Sequence, residues 1–162
     1  MATKLLLVDD HALFRRGLMA LLNSDKRFEI VGEAANGTEA IEKTRVLKPD
    51  LVLMDLDMPG TSGVEATRSI RESGFNGKVL ILTIADGRDD IMAAVKAGAN
   101  GYILKGSEPE ELTSAIDQVM RGGSTFSAGV ASTLFDELRS SSASAVRKES
   151  ENGLSPREKR SA

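Results

Sequence analysis

The stretch that most constrains this chain is Leu51-Val52-Leu53-Met54-Asp55-Leu56-Asp57-Met58-Pro59-Gly60. Four apolar residues run straight into a carboxylate. The run is entered from Pro49-Asp50 and left at Pro59-Gly60, so it reads as a central parallel strand. Asp55 then stands at the strand's C-terminal end, the edge at which open α/β sheets hold ligands and chemistry. Taken alone, the stretch is equally a strand that ends in a polar turn.

The same pattern recurs along the chain. Leu5 to Val8 is a short apolar strand that ends at Asp9-Asp10-His11. A helix follows, with Phe14, Leu18, Leu21 and Leu22 on one face. Phe28 to Ala34 is the second strand. Asn36 is an N-cap for the next helix, with Glu39 as its capping-box partner. Ala40, Ile41, Thr44 and Leu47 form its buried side. Leu51 to Asp55 is strand three. Ser62 caps a helix that buries Val64, Thr67 and Ile70. Val79 to Thr83 is strand four. Asp86 to Asp89 is a loop, or a cap followed by an acidic first turn, before a weakly apolar helix with Ile91, Ala94, Val95 and Ala97. Tyr102 to Lys105 is strand five. Ser107, with Glu110 at N3, caps a fifth helix lined by Leu112, Ile116 and Val119.

Five strand–helix units without a hairpin signal predict a three-layer α/β/α fold around a parallel sheet. Residues 1–123 make this domain. Segment 124–139 carries a further helix, with Ser127 as its cap and Ala131, Leu134, Phe135 and Leu138 on one side. It packs back on the domain or meets a partner. Segment 140–153 is Ser-rich and charged and reads as a flexible linker. Segment 154–162 opens Leu154-Ser155-Pro156-Arg157-Glu158, the start of a helix with Pro at N1, and announces a second domain that is almost entirely missing.

Composition excludes several chemistries. No Cys is present and His11 is the only histidine, so disulfide, thiolate and multi-histidine zinc sites are out. The net charge of −3 offers no overall field to grip nucleic acid. The N-terminal apolar stretch is too short for a signal peptide or a membrane span. The expectation is a cytoplasmic protein with no membrane partner. The turn after strand one lacks Gly-x-Gly-x-x-Gly, which argues against a dinucleotide fold.

At the strand ends stand Asp9, Asp10, Asp55, Thr83 and Lys105, all on one edge of a parallel sheet. Clustered carboxylates repel one another and call for a cation. Mg²⁺ takes oxygen ligands and suits a cluster without His or Cys. An Asp carboxylate can also attack phosphorus and form an acyl phosphate. Lys105 and Thr83 would then compensate charge on the transferred phosphoryl group. His11 sits beside two aspartates, where it reads as a cap or a solvent-facing residue.

This spaced set resembles the response-regulator receiver domain of two-component signalling. The elements are Val8-Asp9-Asp10-His11, Asp55 to Gly60, Thr83 and Gly101 to Lys105, and the resemblance covers about residues 3 to 122. His11 to Leu18 resembles the first helix of the NarL/FixJ subfamily. Leu154 to Glu158 resembles the opening of its LuxR-type helix-turn-helix domain. The resemblance implies a flavodoxin-like (CheY-like) five-stranded sheet in the order 2-1-3-4-5. It makes Asp55 the phosphoacceptor, phosphorylated by a sensor histidine kinase with Mg²⁺. Asp10 is then the direct metal ligand, Asp9 a support acting through water, and the Asp57 backbone carbonyl a further ligand. Lys105 pairs with the phosphoryl group, Thr83 is the switch hydroxyl and Tyr102 the switch aromatic. The output would be DNA binding through the missing C-terminal domain, with a homodimer as a further partner state. Three departures stand out: Ile84 where a small residue is usual, Asp57 where a neutral side chain is common, and Gly106 where many relatives have Pro.

Two other readings remain open. Asp55-Leu56-Asp57 also resembles the nucleophile motif of haloacid-dehalogenase-type, Mg²⁺-dependent phosphohydrolases, although that motif normally follows strand one. A phosphorylation-independent interaction module on the same fold is the third reading.

Overall fold

The structure is a computed structural model that describes residues 2–127 and 129–139. Residues 140–153 and 154–162, read above as linker and as the start of a second domain, lie outside the described residues. The elements are β1 Thr3–Val8, α1 Ala12–Asn23, β2 Phe28–Ala34, α2 Gly37–Leu47, β3 Leu51–Met54 and α3 Gly63–Glu72. They continue with β4 Lys78–Thr83, α4 Arg88–Ala97, β5 Gly101–Leu104, α5 Pro109–Met120 and β6 Thr125–Phe126. A last helix, α6, spans 129–139.

All strand pairs are parallel, and the order is β2-β1-β3-β4-β5-β6. This is the expected 2-1-3-4-5 sheet with one short strand added at the β5 edge. Apolar side chains alternate between the two faces of the sheet, as the strand period requires. Leu5, Leu7, Leu51, Leu53, Leu80, Leu82 and Ile103 pack under α1 and α5 with Leu22, Leu112, Ile116 and Val119. Leu6, Val8, Val52, Met54, Val79, Ile81 and Tyr102 pack on the other side with Ala40 of α2, Ala66 and Ile70 of α3, and Ile91 and Ala94 of α4.

The helix starts refine the sequence reading. At α3 the capping box is complete, with Glu65 N–H donating to Ser62 Oγ at 3.2 Å and Ser62 N–H donating to Glu65 Oε1 at 3.1 Å. At α2 Asn36 Oδ1 accepts from Glu39 N–H at 2.9 Å, but Glu39 Oε1 accepts from Ala35 instead of Asn36. At α5 the cap is Glu108, not Ser107, and Glu111 Oε1 accepts the Glu108 N–H at 3.1 Å. Pro109 decides this: it has no N–H to lose at N1, so the cap falls one residue before it.

The extension after α5 begins with a strand. Gly101 permits it, because a Cβ there would stand 2.6 Å from the Thr125 carbonyl oxygen. Ser127 then bonds β5 twice. Its N–H donates to the Tyr102 carbonyl at 3.1 Å, and its Oγ accepts the Leu104 N–H at 3.1 Å. The Ser127 hydroxyl therefore serves β5, while its carbonyl accepts from Ala131 N–H at 2.8 Å in the first turn of α6. Val130 is buried, and Leu134 and Phe126 pack on the cluster containing Tyr102 and Ile91. Arg88 of α4 meets Glu137 of α6 at 3.4 Å. Residues 125–127 and 129–139 thus pack back on the domain, over the β5–α4 flank.

Candidate functional site

Register brings the strand ends level. Val8 pairs with Met54, Met54 with Ile81, and Thr83 with Leu104. The residues that follow therefore emerge along one edge. Asp55 N–H donates to the Val8 carbonyl at 3.0 Å, just past the end of β3, and Lys105 N–H donates to the Thr83 carbonyl at 2.9 Å. Asp55 thus belongs to the turn and not to the strand. Behind that turn, Gly63 lets the start of α3 press against it. A Cβ at Gly63 would lie 2.2 Å from the Asp55 carbonyl oxygen.

Asp9 and Asp55 are both buried, with side chains 4% and 2% exposed. Their charge is met by one cation. Lys105 Nζ stands 2.7 Å from Asp9 Oδ2 and 3.2 Å from Asp55 Oδ2. The ammonium also lies 4.3 Å from the centre of the Phe14 ring, within cation–π range. Burial alone would lower the Lys105 pKa. The hydrogen bond to Asp9 and the Asp55 charge outweigh it, and the net shift is upward. Lys105 is held as a charged, oriented ammonium.

The remaining carboxylate, Asp10, is different. Its Oδ1 is buried and has no hydrogen-bond partner. One ligand atom from each of Asp9, Asp10, His11 and Asp55 lies within 4.8 Å of the others. A buried carboxylate oxygen without a partner is costly unless something cationic or protic fills the gap. The donor set is rich in oxygen, so the site fits a hard divalent cation such as Mg²⁺.

Thr83 is fully buried at the end of β4, and its Oγ1 accepts from Ala85 N–H at 3.3 Å. Tyr102 is also fully buried, and its hydroxyl donates to the Ala85 carbonyl at 2.6 Å. The two side chains therefore hold one residue, Ala85, from two sides. Burial, then the carboxylates of Asp90, Asp86 and Asp55, push the Tyr102 phenol well above its ordinary pKa.

Asp9, Asp10, Asp55 and Lys105 therefore meet. The Asp57 side chain does not join them: the residue is exposed and its N–H reaches Asp55 Oδ1 at 3.4 Å. Ile84 is exposed as well. Three contacts went unread in the sequence. His11 holds the expected N-cap position of α1 and its side chain is 65% exposed, but it makes no side-chain cap hydrogen bond and sets Nδ1 3.1 Å from Asp9 Oδ1 and 3.2 Å from Asp10 Oδ1. Phe14, read only as core, lies beneath the Lys105 ammonium. Arg15, not singled out by the sequence pattern, donates to the Asp9 carbonyl and pairs with Glu33 at 3.0 Å. The spacing of His11 and Phe14, three apart at the start of a helix, is the one signal that could have found them.

A model of the response regulator receiver domain matches residues 5–117. With a parallel sheet in this order and an acidic cluster at its C-terminal edge, the chain belongs to that family: it is a phosphorylation switch and not a turnover enzyme. Within the family it is of the NarL/FixJ type. It is 37% identical over 155 residues to the nitrate/nitrite response regulator protein NarL of Escherichia coli strain K12, a match covering 96% of this chain and 71% of that protein. Oxygen regulatory protein NreC of Staphylococcus aureus strain JH9 is 40% identical over 140 residues, covering 86% and 64%. A LuxR-family two-component response regulator from Aurantimonas sp. SI85-9A1 superposes with a TM-score of 0.80 at 37% identity, covering 85% of this chain and 98% of that one. Among the described residues, no helix is long and apolar enough to cross a membrane.

Proposed function

We propose that Asp55 is the residue that accepts the phosphoryl group, from a phosphohistidine of a sensor histidine kinase. The observation that carries this is the pairing of Asp55 Oδ2 with Lys105 at 3.2 Å beside an unpartnered Asp10 oxygen. An Asp55 oxygen attacks phosphorus, the donor N–P bond breaks, and the histidine nitrogen leaves with the electron pair. Lys105 then moves its charge to a phosphoryl oxygen. Both Asp9 oxygens are engaged, by Lys105 and by His11, so Asp9 orients its neighbours. Asp10 has the free oxygen and would be the direct metal ligand; Asp9 would support it through water, and Asp57 would contribute its backbone carbonyl. Mg²⁺ bound there would offset the carboxylate charge and the charge of the transferred phosphoryl group.

Thr83 releases Ala85 to reach the phosphoryl group, and Tyr102, which shares Ala85, transmits the change towards Ser127 and α6. The output is DNA binding through a C-terminal helix-turn-helix, with a homodimer as the active state, in the cytoplasm. Residues 1–123 are the switch, 124–139 the connection to it, 140–153 a linker and 154–162 the start of the output domain. A hydrolase role for Asp57 would need its carboxylate in the cluster; the clustered ligand atoms come from Asp9, Asp10, His11 and Asp55.

Intact-mass measurement after treatment with acetyl phosphate and Mg²⁺ tests this reading. One phosphoryl group should appear, map to Asp55, and be absent in Asp55→Asn. Release of inorganic phosphate at about 1 s⁻¹ or faster, a usual enzyme rate, would overturn it.

A further inference from the structure

We propose that His11 is a nitrogen ligand of the cation site, so that the site takes a transition-metal divalent ion alongside Mg²⁺. This rests on the reading that the acidic cluster binds a divalent cation.

Four observations support it. His11 occupies the N-cap position of α1, yet its side chain makes no cap hydrogen bond. The ring instead turns back onto the carboxylates. Its Nδ1 lies 3.1 Å from Asp9 Oδ1 and 3.2 Å from Asp10 Oδ1. Two ligands about 2.1 Å from one ion and at right angles stand roughly 3.0 Å apart, so the separation from Asp10 Oδ1 is that of neighbouring corners of an octahedron. Lastly, Asp10 Oδ1 is 3.2 Å from that nitrogen and still has no hydrogen bond, although it is buried. The ring does not satisfy Asp10; a cation between them would serve both.

The chemical consequence is selectivity. Mg²⁺ gains little from an imidazole, whereas Ni²⁺, Fe²⁺ and Zn²⁺ gain substantially. Carboxylates alone form a hard site. The same carboxylates with one imidazole form a mixed site, and its preference among divalent ions is set by His11. The rival account is that the ring only donates to Asp9 Oδ1, at the same 3.1 Å.

Pulsed electron paramagnetic resonance of bound Mn²⁺ separates the two. His11 is the only histidine, so protein free of any tag and labelled with ¹⁵N-histidine assigns every histidine coupling to it. The expected result is a nitrogen modulation that changes with the label and disappears in His11→Ala, with Mn²⁺ still bound. Calorimetry should show the preference for Ni²⁺ over Mg²⁺ falling about tenfold in His11→Ala. Because the ring caps nothing, that variant should keep its circular dichroism; the labelled wild-type protein gives the answer regardless. Mn²⁺ bound with no histidine coupling would overturn the proposal and leave the cation site intact. Failure of wild-type protein to bind Mn²⁺, with no difference in Asp10→Asn, would overturn both.

Discussion

Lys105 stands closer to Asp9, at 2.7 Å, than to Asp55, at 3.2 Å. In this state the ammonium is anchored mainly to the carboxylate that is not the proposed acceptor. It bridges two buried negative charges and lies over the Phe14 ring. Removing it leaves two buried carboxylates without a cation, the costly half of a broken buried pair.

Lys105→Ala should therefore destabilise the metal-free protein by about 3 kcal/mol. Millimolar Mg²⁺ should return part of that stability, since a cation bound to the folded state alone stabilises it by mass action. Urea unfolding with and without Mg²⁺ checks this. If Mg²⁺ stabilised the variant no more than wild type, the carboxylates would not be the groups left exposed to one another.

Two glycines should respond in opposite directions. Gly17 sits on the exposed side of α1 with nothing near the position of a Cβ. Gly17→Ala should stabilise the protein by about 0.5–1 kcal/mol. At Gly63 a Cβ would meet the Asp55 carbonyl oxygen at 2.2 Å. Gly63→Ala should cost about 2 kcal/mol and slow phosphorylation by acetyl phosphate, because the Asp55 turn must shift. Denaturation midpoints and labelling rates on the same preparations report both effects.

Much of the site was legible because parallel strands deliver their C-terminal residues to one edge. Asp9, Asp10, Asp55, Thr83 and Lys105 needed only correct strand ends. What stayed hidden depends on where side chains turn. Nothing in Asp9-Asp10-His11 says that the ring faces the carboxylates, or that Arg15 folds back onto the Asp9 carbonyl. Ser107 and Glu108 both have a Glu three residues on, and pattern alone does not choose between them; Pro109 does. β6 is two residues long, below the reach of any periodicity, and its existence depends on the missing Cβ at Gly101.

The Ser127 hydroxyl supplies the next test. It accepts the Leu104 N–H, one residue before Lys105. Ser127→Ala removes that partner at a half-buried position and should cost about 1 kcal/mol. Amide exchange should quicken at Leu104 and through helix 129–139 before it does in β1 or β3. Ser127→Thr keeps the hydroxyl and should restore protection. Unchanged exchange at Leu104 in the alanine variant would detach Ser127 from the β5 edge.

Alkaline pH should expose Tyr102. Burial, aided by three nearby carboxylates, raises its phenol pKa in the folded state. An unfolded tyrosine ionises near pH 10, at about 10.0. Above that pH the unfolded chain loses the phenol proton while the folded chain keeps it, so the unfolded state binds fewer protons and stability falls as pH rises. Lys105 acts in the same direction. Its folded pKa is also raised, so its contribution is complete below about pH 10.4 and is lost as pH climbs through the folded value. Both effects leave neutral and acidic stability untouched. Tyr102 is the only tyrosine in the chain, so tyrosinate absorbance reports on it alone. In urea-unfolded protein the titration should be ordinary. In folded protein absorbance should stay flat past pH 10 and rise only together with loss of circular dichroism. Tyr102→Phe loses the hydrogen bond to the Ala85 carbonyl, which should cost about 1 kcal/mol at pH 7, and it should flatten the alkaline fall, because a phenyl ring has no proton for the unfolded chain to release. A tyrosinate signal near pH 10 with the fold intact would mean that Tyr102 turns outward readily, and its grip on Ala85 could not then couple Thr83 to the β5 edge.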